Sequence, residues 1–416
     1  MGKRTRLIMS LLSFWLFLIL FKFGAGLHYA LNSPLGARVL PLWAVGLLMA
    51  GGSLIQLLMD VPAGHLLDRF GYKRMLAFGT FIAIIGGIVL FWGITAVSIV
   101  LSVILVTVGW LFFSPGINAY SLSEAKRSNS VMFMAFRDIS GSIGIVLSCV
   151  LLPFVVDASS QVISLTIVAL ISLAFIAILL APRERRKITL RTSPHERTHH
   201  QRRFVLKNLS KSIKRLNPAS TILIMLNCAG AIFYGVIWFV IPLVIASQVY
   251  NGALLGVGLA MFDFSIVILG SFLIGIVEQR DKKIMIFIGM LIFSLAGFLL
   301  GLSFGILFLV FAFLSTAGDE TASLPLWAWL HELDEKHNKD GMISGVLNLF
   351  SDLGWAIGPL FAGIVYTFTG PTMTIVIGAI PIFAVLVIYY AIVQKHVIQV
   401  SVFNAPRRPH KQRHRP

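Results

Sequence analysis

The chain has 416 residues, of which 57% are apolar and only 12% charged, about half the charged share of a soluble domain. This excludes an ordinary soluble enzyme, whose surface needs more polar cover, and a disordered chain, which needs low hydrophobicity. The net charge is +17, from 34 Lys+Arg against 17 Asp+Glu, which points either to nucleic acid or to the cytoplasmic side of a membrane protein.

Apolar runs long enough to span a bilayer, which needs roughly 20 residues each, are predicted at 7–31, 39–63, 75–91, 97–122, 131–156 and 162–181. A polar, basic segment follows at 182–218. Six more runs are predicted at 219–246, 253–277, 284–300, 306–330, 342–368 and 373–393. The runs are apolar on most faces, unlike amphipathic soluble helices. They are rich in Gly and Ser, which let membrane helices approach closely. Lipid requires the backbone to satisfy its own hydrogen bonds, so an all-α protein with twelve transmembrane helices is expected. The organisation is a six-helix bundle at 1–181, a linker at 182–218, a second bundle at 219–398 and a basic tail at 399–416. The start Lys3, Arg4, Arg6 is basic like a signal peptide's, but the apolar stretch after it is too long for one, so a retained first span is expected.

Charge positions decide between nucleic acid and membrane. Odd and even connections alternate between faces. One face carries the N-terminus, Arg69–Arg74, Lys126 and Arg127, the twelve basic residues of 182–218, Arg280–Lys283, Lys336, Lys339 and the tail. The other face carries Arg38 alone, and Lys22 and Arg137 lie within helices. The positive-inside rule then places both termini in the cytoplasm of a multi-pass protein in the cell membrane. The excess charge reports contact with anionic inner-leaflet lipids, and no nucleic-acid partner is expected. Cys149 and Cys228 have no disulfide or zinc spacing. No metal and no cofactor is expected.

The two six-helix halves resemble each other. Asp138-x-Ser-x-x-x-Gly144 in helix 5 matches Asp352-x-Gly-x-x-x-Gly358 in helix 11, and Gly64 near the end of helix 2 has a counterpart in Gly275 of helix 8. Repeats of this kind place a transporter's site between the halves. The turn Gly64-His-Leu-Leu-Asp68-Arg69-Phe-Gly71-Tyr-Lys73-Arg74 resembles the signature between helices 2 and 3 of the major facilitator superfamily, and Asp60-x-Pro62-x-Gly64 is similar to a variant in some efflux-type members. The resemblance covers nearly the whole chain. Helix 5 has Gly144-Ile145 where antiporters carry Gly-Pro, helix 4 lacks the Arg of many proton-coupled members, and Gly354-x-x-x-Gly358-Pro359-x-x-x-Gly363 sits in helix 11 instead.

The resemblance implies a gate at the helix 2–3 turn, with Asp68 at the start of helix 11 and Arg69, Lys73 or Arg74 paired with Glu124. It also implies that helices 1, 4, 7 and 10 line a cavity flanked by 2, 5, 8 and 11. A charge at mid-membrane is costly without a partner or water. Lys22, Asp263, Asp319 and Glu320 fall near the midplane by count, and Lys22 is expected to face the Asp319–Glu320 pair, leaving one carboxylate to exchange a proton or take a cationic group. Asp60, Arg137, Asp138 and Asp352 are expected to make contacts between the halves. Tyr234, Trp238, Trp327, Asn118 and Asn227 are candidates to line the cavity. His28 is expected as a polar end group near the membrane surface.

These residues point to a monomeric secondary transporter of a small organic molecule by alternating access, with proton-linked efflux favoured and uptake by symport or facilitated diffusion as the alternative. A membrane sensor or membrane enzyme on the same scaffold is the reading of another class. The Gly301-x-Ser303-x-Gly305 and His331-Glu332 patterns lack the strand–turn–helix context and the second His that catalysis needs.

Overall fold

The computed structural model describes residues 3–125, 130–181, 218–247, 251–277, 280–336 and 342–403. The side chains of Asp60, Asp68, Asn118 and Glu124, the surroundings of Gly64, and residues 182–217 of the linker and 404–416 of the tail lie outside what the structure describes. Ten helices run in order: α1 Lys3–Ala37, α2 Leu42–Phe70, α3 Tyr72–Val89, α4 Ala96–Ala125, α5 Ser130–Val155, α6 Ser160–Leu180, α7 Pro218–Ala246, α8 Gly252–Val277, α9 Lys282–Leu302 and α10 Ile306–Lys336.

The last helical run, Met342–Phe403, has 62 residues. Drawn straight it would be ~90 Å long, about three times the hydrocarbon thickness of a bilayer. It is broken at Gly370 (φ 74°, ψ −177°), a left-handed position that favours glycine, with Pro371 immediately after. We number its two parts α11 (342–369) and α12 (371–403). The eleven long apolar helices among the described residues therefore make twelve spans, with the break inside the interval expected between 368 and 373.

Within the first half, α1 packs on α5 and α6, and α3 on α4. Within the second, α7 packs on the 342–403 run, and α9 on α10. The repeat seen in the sequence is a repeat of contacts. A Cβ at Gly144 would strike the carbonyl oxygen of Ile19, and one at Gly358 would strike that of Ile232. A Cβ at Gly79 would lie 2.9 Å from Gly109 O, and one at Gly289 would lie 2.6 Å from Gly318 O. Small residues bring these backbones together where no water-driven burial does so. The α1–α5 and α3–α4 contacts of one half thus recur as α7–α11 and α9–α10 in the other.

The halves meet where α2 packs on the 342–403 run, α5 on α8, and α1 on α7. These contacts lie toward the face with the short connections, opposite the basic face. A Cβ at Gly46 would lie 2.5 Å from Pro359 O, and one at Gly256 would lie 2.8 Å from Cys149 O and 2.6 Å from Pro153 Cγ. The structure is closed at the short-loop face. Arg38, on that face, donates to Val156 O at 2.7 Å and to Asp157 Oδ1 at 3.5 Å, tying the α1–α2 and α5–α6 connections together.

His28 differs from its expected surface position. It is 2% exposed, and its Nε2 lies 2.8 Å from Ser102 Oγ on α4. Ser102 donates its one proton to Gly86 O of α3, 2.7 Å away, so the His28 Nε2–H donates to Ser102. A polar chain joining three helices satisfies groups that lipid would leave unpaired. Ser102→Ala is expected to destabilise the protein by about 1–2 kcal/mol, visible as a lower melting temperature in detergent with transport retained.

Candidate functional site

The turn between α2 and α3 is built on Gly71, whose φ of 85° ends one helix and starts the next. Its N–H closes on Leu67 O at 2.8 Å. Lys73 reaches the end of α6, within its own half. Its Nζ donates to Leu179 O at 3.0 Å and to Ala181 O, the carbonyls left open at the end of α6, where a cation also meets the negative end of the helix dipole. Arg69 lies over the Phe70 ring at 5.4 Å, and Arg74 is exposed. The turn is thereby fastened to the point where its own half hands over to the basic linker. The expected partners Asp68 and Glu124 lie outside the described residues.

The charged centre is assembled from both halves. Residue counts along each helix put Lys22, Asp263, Asp319 and Tyr234 at ~15–22 Å from the short-loop ends of α1, α8, α10 and α7. Lys22 lies against α5, where a Cβ on Gly141 would be 3.3 Å from its Nζ and one on Gly144 3.0 Å from its Cβ. Its ammonium stands 5.9 Å from the centroid of the Trp110 ring on α4, within cation–π range. The carboxylates that act on it are those of Asp263 and then Asp138, opposed by Arg137. Asp263, across the boundary between the halves, is therefore the carboxylate that acts most strongly on Lys22, ahead of the Asp319–Glu320 pair expected from the sequence. Asp263 is also held by the Ser142 hydroxyl of α5.

The acidic pair divides its roles. Asp319 accepts a 3.0 Å hydrogen bond from Tyr234 Oη on α7. Glu320, one residue on and about 100° around the helix, makes no ion pair or side-chain hydrogen bond among the described residues, and the charges acting on it are Asp319, Asp138 and Asp263. Asp138 pairs with Arg137 beside it, Oδ1 to Nη2 at 2.7 Å, yet its side chain remains 55% exposed. Asp138 thus acts on both Lys22 and Glu320. Asp352 is half-buried in the corresponding turns of α11.

The repeat shows how the halves differ. In the paired contacts Lys22 stands where the second half has Gly235, which packs on Gly358. Trp110, just after Gly109, stands where the second half has Asp319, just after Gly318. One half supplies the cation and its aromatic platform. The other supplies Asp263, Asp319 and Glu320.

Aromatic rings close the centre toward the short-loop face. Tyr234 stacks on Trp355 of α11 with centroids 6.2 Å apart and planes at 12°, and also meets Phe293 and Phe262. Tyr29 of α1 meets Trp238 at 5.8 Å and Trp355 at 6.4 Å, both edge-on. Tyr29 was not singled out in the sequence, although it lies seven residues from Lys22 and so on the same helix face. Its hydroxyl is buried and finds no hydrogen-bond partner among the described residues, and the same holds for Nδ2 of Asn227. Asn227 lies seven residues before Tyr234 on α7, again on one face. Trp327 is 41% exposed and lies on the Glu320 stripe of α10.

A polar centre between two repeated six-helix halves that meet at one face is the arrangement of a membrane transporter. The sequence profile of the Major Facilitator Superfamily matches residues 6–280 and 223–415. The chain belongs to that superfamily, and it is a transporter rather than an enzyme. A search of curated proteins finds no match. Among solved structures, that of a point mutant of nucleoside transporter NupG is similar with a TM-score of 0.72 at 13% identity, over 92% of this chain and 99% of that one. NupG itself gives 0.68 at 15% identity, over 92% and 98%. A POT family transporter in complex with a thioalcohol-conjugated peptide gives 0.70 at 14% identity, over 94% and 96%. These likenesses support the fold.

Proposed function

We propose that the protein exports a small organic solute against an inward flow of protons, as a monomer in the cytoplasmic membrane with both termini in the cytoplasm. Protons and solute compete for the acidic centre, and the two halves rock about it. The observation that carries this reading is Glu320, a carboxylate on the mid-membrane stretch of α10 next to Asp319, with no ion pair or side-chain hydrogen bond among the described residues. Uncompensated charge at that depth is costly, so the site favours a bound proton or a bound cation over an empty anion. Alternation between the two is the minimal requirement for antiport. On this reading the basic face is the cytoplasmic one, and the seam closed at the short-loop face belongs to the half of the cycle that admits solute from the cytoplasm. Anionic lipids contact the basic residues on that side.

The test is transport into inverted vesicles across a panel of labelled organic cations, nucleosides, peptides and sugars. An acid interior is expected to drive accumulation, and an ionophore that collapses the gradient is expected to abolish it. Accumulation that survives collapse of the gradient would overturn proton linkage, and accumulation that needs the opposite gradient would reverse the direction. Glu320→Gln is expected to lower gradient-driven accumulation at least 10-fold, with normal insertion in the membrane.

A further inference from the structure

We propose that the short-loop end of the second half holds a binding site for a single-chain amphiphile with an uncharged head, separate from the charged centre, and that its occupant braces the closed seam between the halves.

A cavity of about 210 Å³ lies among the short-loop ends of α7, α8, α9, α10 and α12. Val244, Leu255, Leu300, Phe308 and Ile375, one from each helix, form its walls and are buried. By residue count they lie within ~6 Å of their helix ends, whereas the charged centre lies ~15–22 Å from those ends. The volume matches about seven waters at ~30 Å³ each, but apolar walls offer water too few partners, and such cavities stay dry. A cavity of about 150 Å³ with similar walls takes benzene, so this one takes a chain of roughly eight carbons.

The mouth sets the head group. Asn251, Ser303 and Thr372 rim it, all at the ends of helices. The Ser303 hydroxyl donates to Leu300 O at 3.0 Å, and Asn251 Oδ1 accepts from Leu254 N at 3.3 Å. The Asn251 amide N–H groups and the Thr372 hydroxyl remain for a hydroxyl or ether oxygen. No lining side chain is ionisable, so a carboxylate or ammonium head finds no opposite charge. Around the mouth Leu302, Phe304, Ile306 and Leu307 are exposed, an apolar rim that a chain at the bilayer surface can cross. A free amphiphile enters here with its head outward. A phospholipid tail would have to double back from its own leaflet to do so.

The cavity backs onto the seam. Gly252 and Gly256, one turn apart on α8, face Pro153 of α5, where their Cβ atoms would lie 3.7 and 2.6 Å from its ring atoms. Leu255, between these glycines in sequence, is a wall of the cavity. The first turns of α8 therefore separate the cavity from the seam, and a chain behind them resists their recoil from α5. A ligand shifts a conformational equilibrium by its difference in affinity between the states, and the seating of α8 supplies that difference.

The experiment is photolabelling of the full-length protein in phosphatidylcholine nanodiscs with a diazirine-bearing octanol, the adducts mapped by mass spectrometry. Adducts are expected within 241–255, 300–308 and 371–376. Excess 1-octanol is expected to reduce them at least 5-fold, and octanoate or octylamine less than 2-fold. Val244→Phe, which fills the cavity, is expected to reduce them at least 5-fold with an undiminished melting temperature. Ser303→Phe, which blocks the mouth from a turn, is expected to do the same without a change in the core. Adducts elsewhere, or labelling that neither variant lowers, would overturn the site. Equal competition by octanoate or octylamine would overturn the uncharged head. Stronger labelling of the same residues by a phosphatidylcholine with the diazirine at its tail end would overturn the free amphiphile as occupant. With spin labels across the short-loop face, 1-octanol is expected to at least double the ratio of short to long distances in the parent and to leave Val244→Phe unchanged. An equal effect in both would belong to the bilayer and overturn the brace. None of these measurements uses a proton gradient or the transported solute, so their failure leaves the transport reading standing, and failure of that reading leaves the site.

Discussion

Lys22→Gln is expected to reduce gradient-driven transport at least 100-fold. The ammonium stands between halves: its stem lies on the glycine face of α5, Trp110 of α4 is beside it, and Asp263 of α8 is the foremost carboxylate acting on it. Neutralising one of two opposed charges inside the membrane leaves the other less compensated, an effect that reaches about 3–5 kcal/mol for a buried ion pair. A 100-fold loss corresponds to roughly 2.7 kcal/mol, so the pair can account for an effect of this size. A purely structural pair and a coupling pair predict different outcomes in the double variant. Lys22→Gln with Asp263→Asn removes both charges, so the melting temperature should return to within a few degrees of the parent in either case. If the pair is structural, transport returns as well. If it couples the halves, transport stays lost, because the change in this contact on rocking no longer depends on charge. The latter is expected, measured in proteoliposomes alongside thermal unfolding in detergent.

The twelve spans were legible because lipid forces a simple solution: long apolar runs must be helices, and their lengths are set by the bilayer. The repeat was legible through Asp138…Gly144 and Asp352…Gly358, because close backbone approach at Gly144 and Gly358 restricts those positions to the smallest residue. The facing of helices was not legible. A soluble helix shows its core by the pattern of apolar residues, but a membrane helix is apolar toward lipid and toward its neighbours alike. Hydropathy therefore did not show that Asp263, on a flanking helix, turns toward Lys22. Nor did it separate Tyr29 and Trp355 from the many aromatic residues that meet lipid headgroups. Depth counting placed His28 near the membrane surface, but its Ser102–Gly86 chain makes it a buried link instead. Lys73 shows a related limit. Its motif was recognisable, while the carbonyls it binds belong to the end of α6, more than a hundred residues away, and become its neighbours only through packing.

Gly46→Leu combined with Gly256→Leu is expected to hold the short-loop face apart and lower transport at least 10-fold. Both glycines lie where one half touches the other. A Cβ at Gly46 meets Pro359 O and the Leu360 backbone of α11, and a Cβ at Gly256 meets Pro153 and the Cys149 backbone of α5. These are main-chain or ring atoms, which cannot turn aside like the end of a flexible side chain. Overpacking typically costs about 1–3 kcal/mol per site, and two sites together reach several kcal/mol. The arrangement of helices within each half is untouched, so the strain falls on the closed short-loop face and not on the fold. Two conformations of a transporter differ by only a few kcal/mol, so an opposing term of this size inverts their populations, which takes about 5.5 kcal/mol for a full reversal from 1:99 to 99:1. Spin labels placed across the short-loop face should then report a longer distance, and labels across the basic face a shorter one. Unchanged distances with wild-type transport would show that the two glycines are there for synthesis or packing alone. The single variants should each give a partial shift, because the α2–α11 and α5–α8 seams flank the same centre and open together.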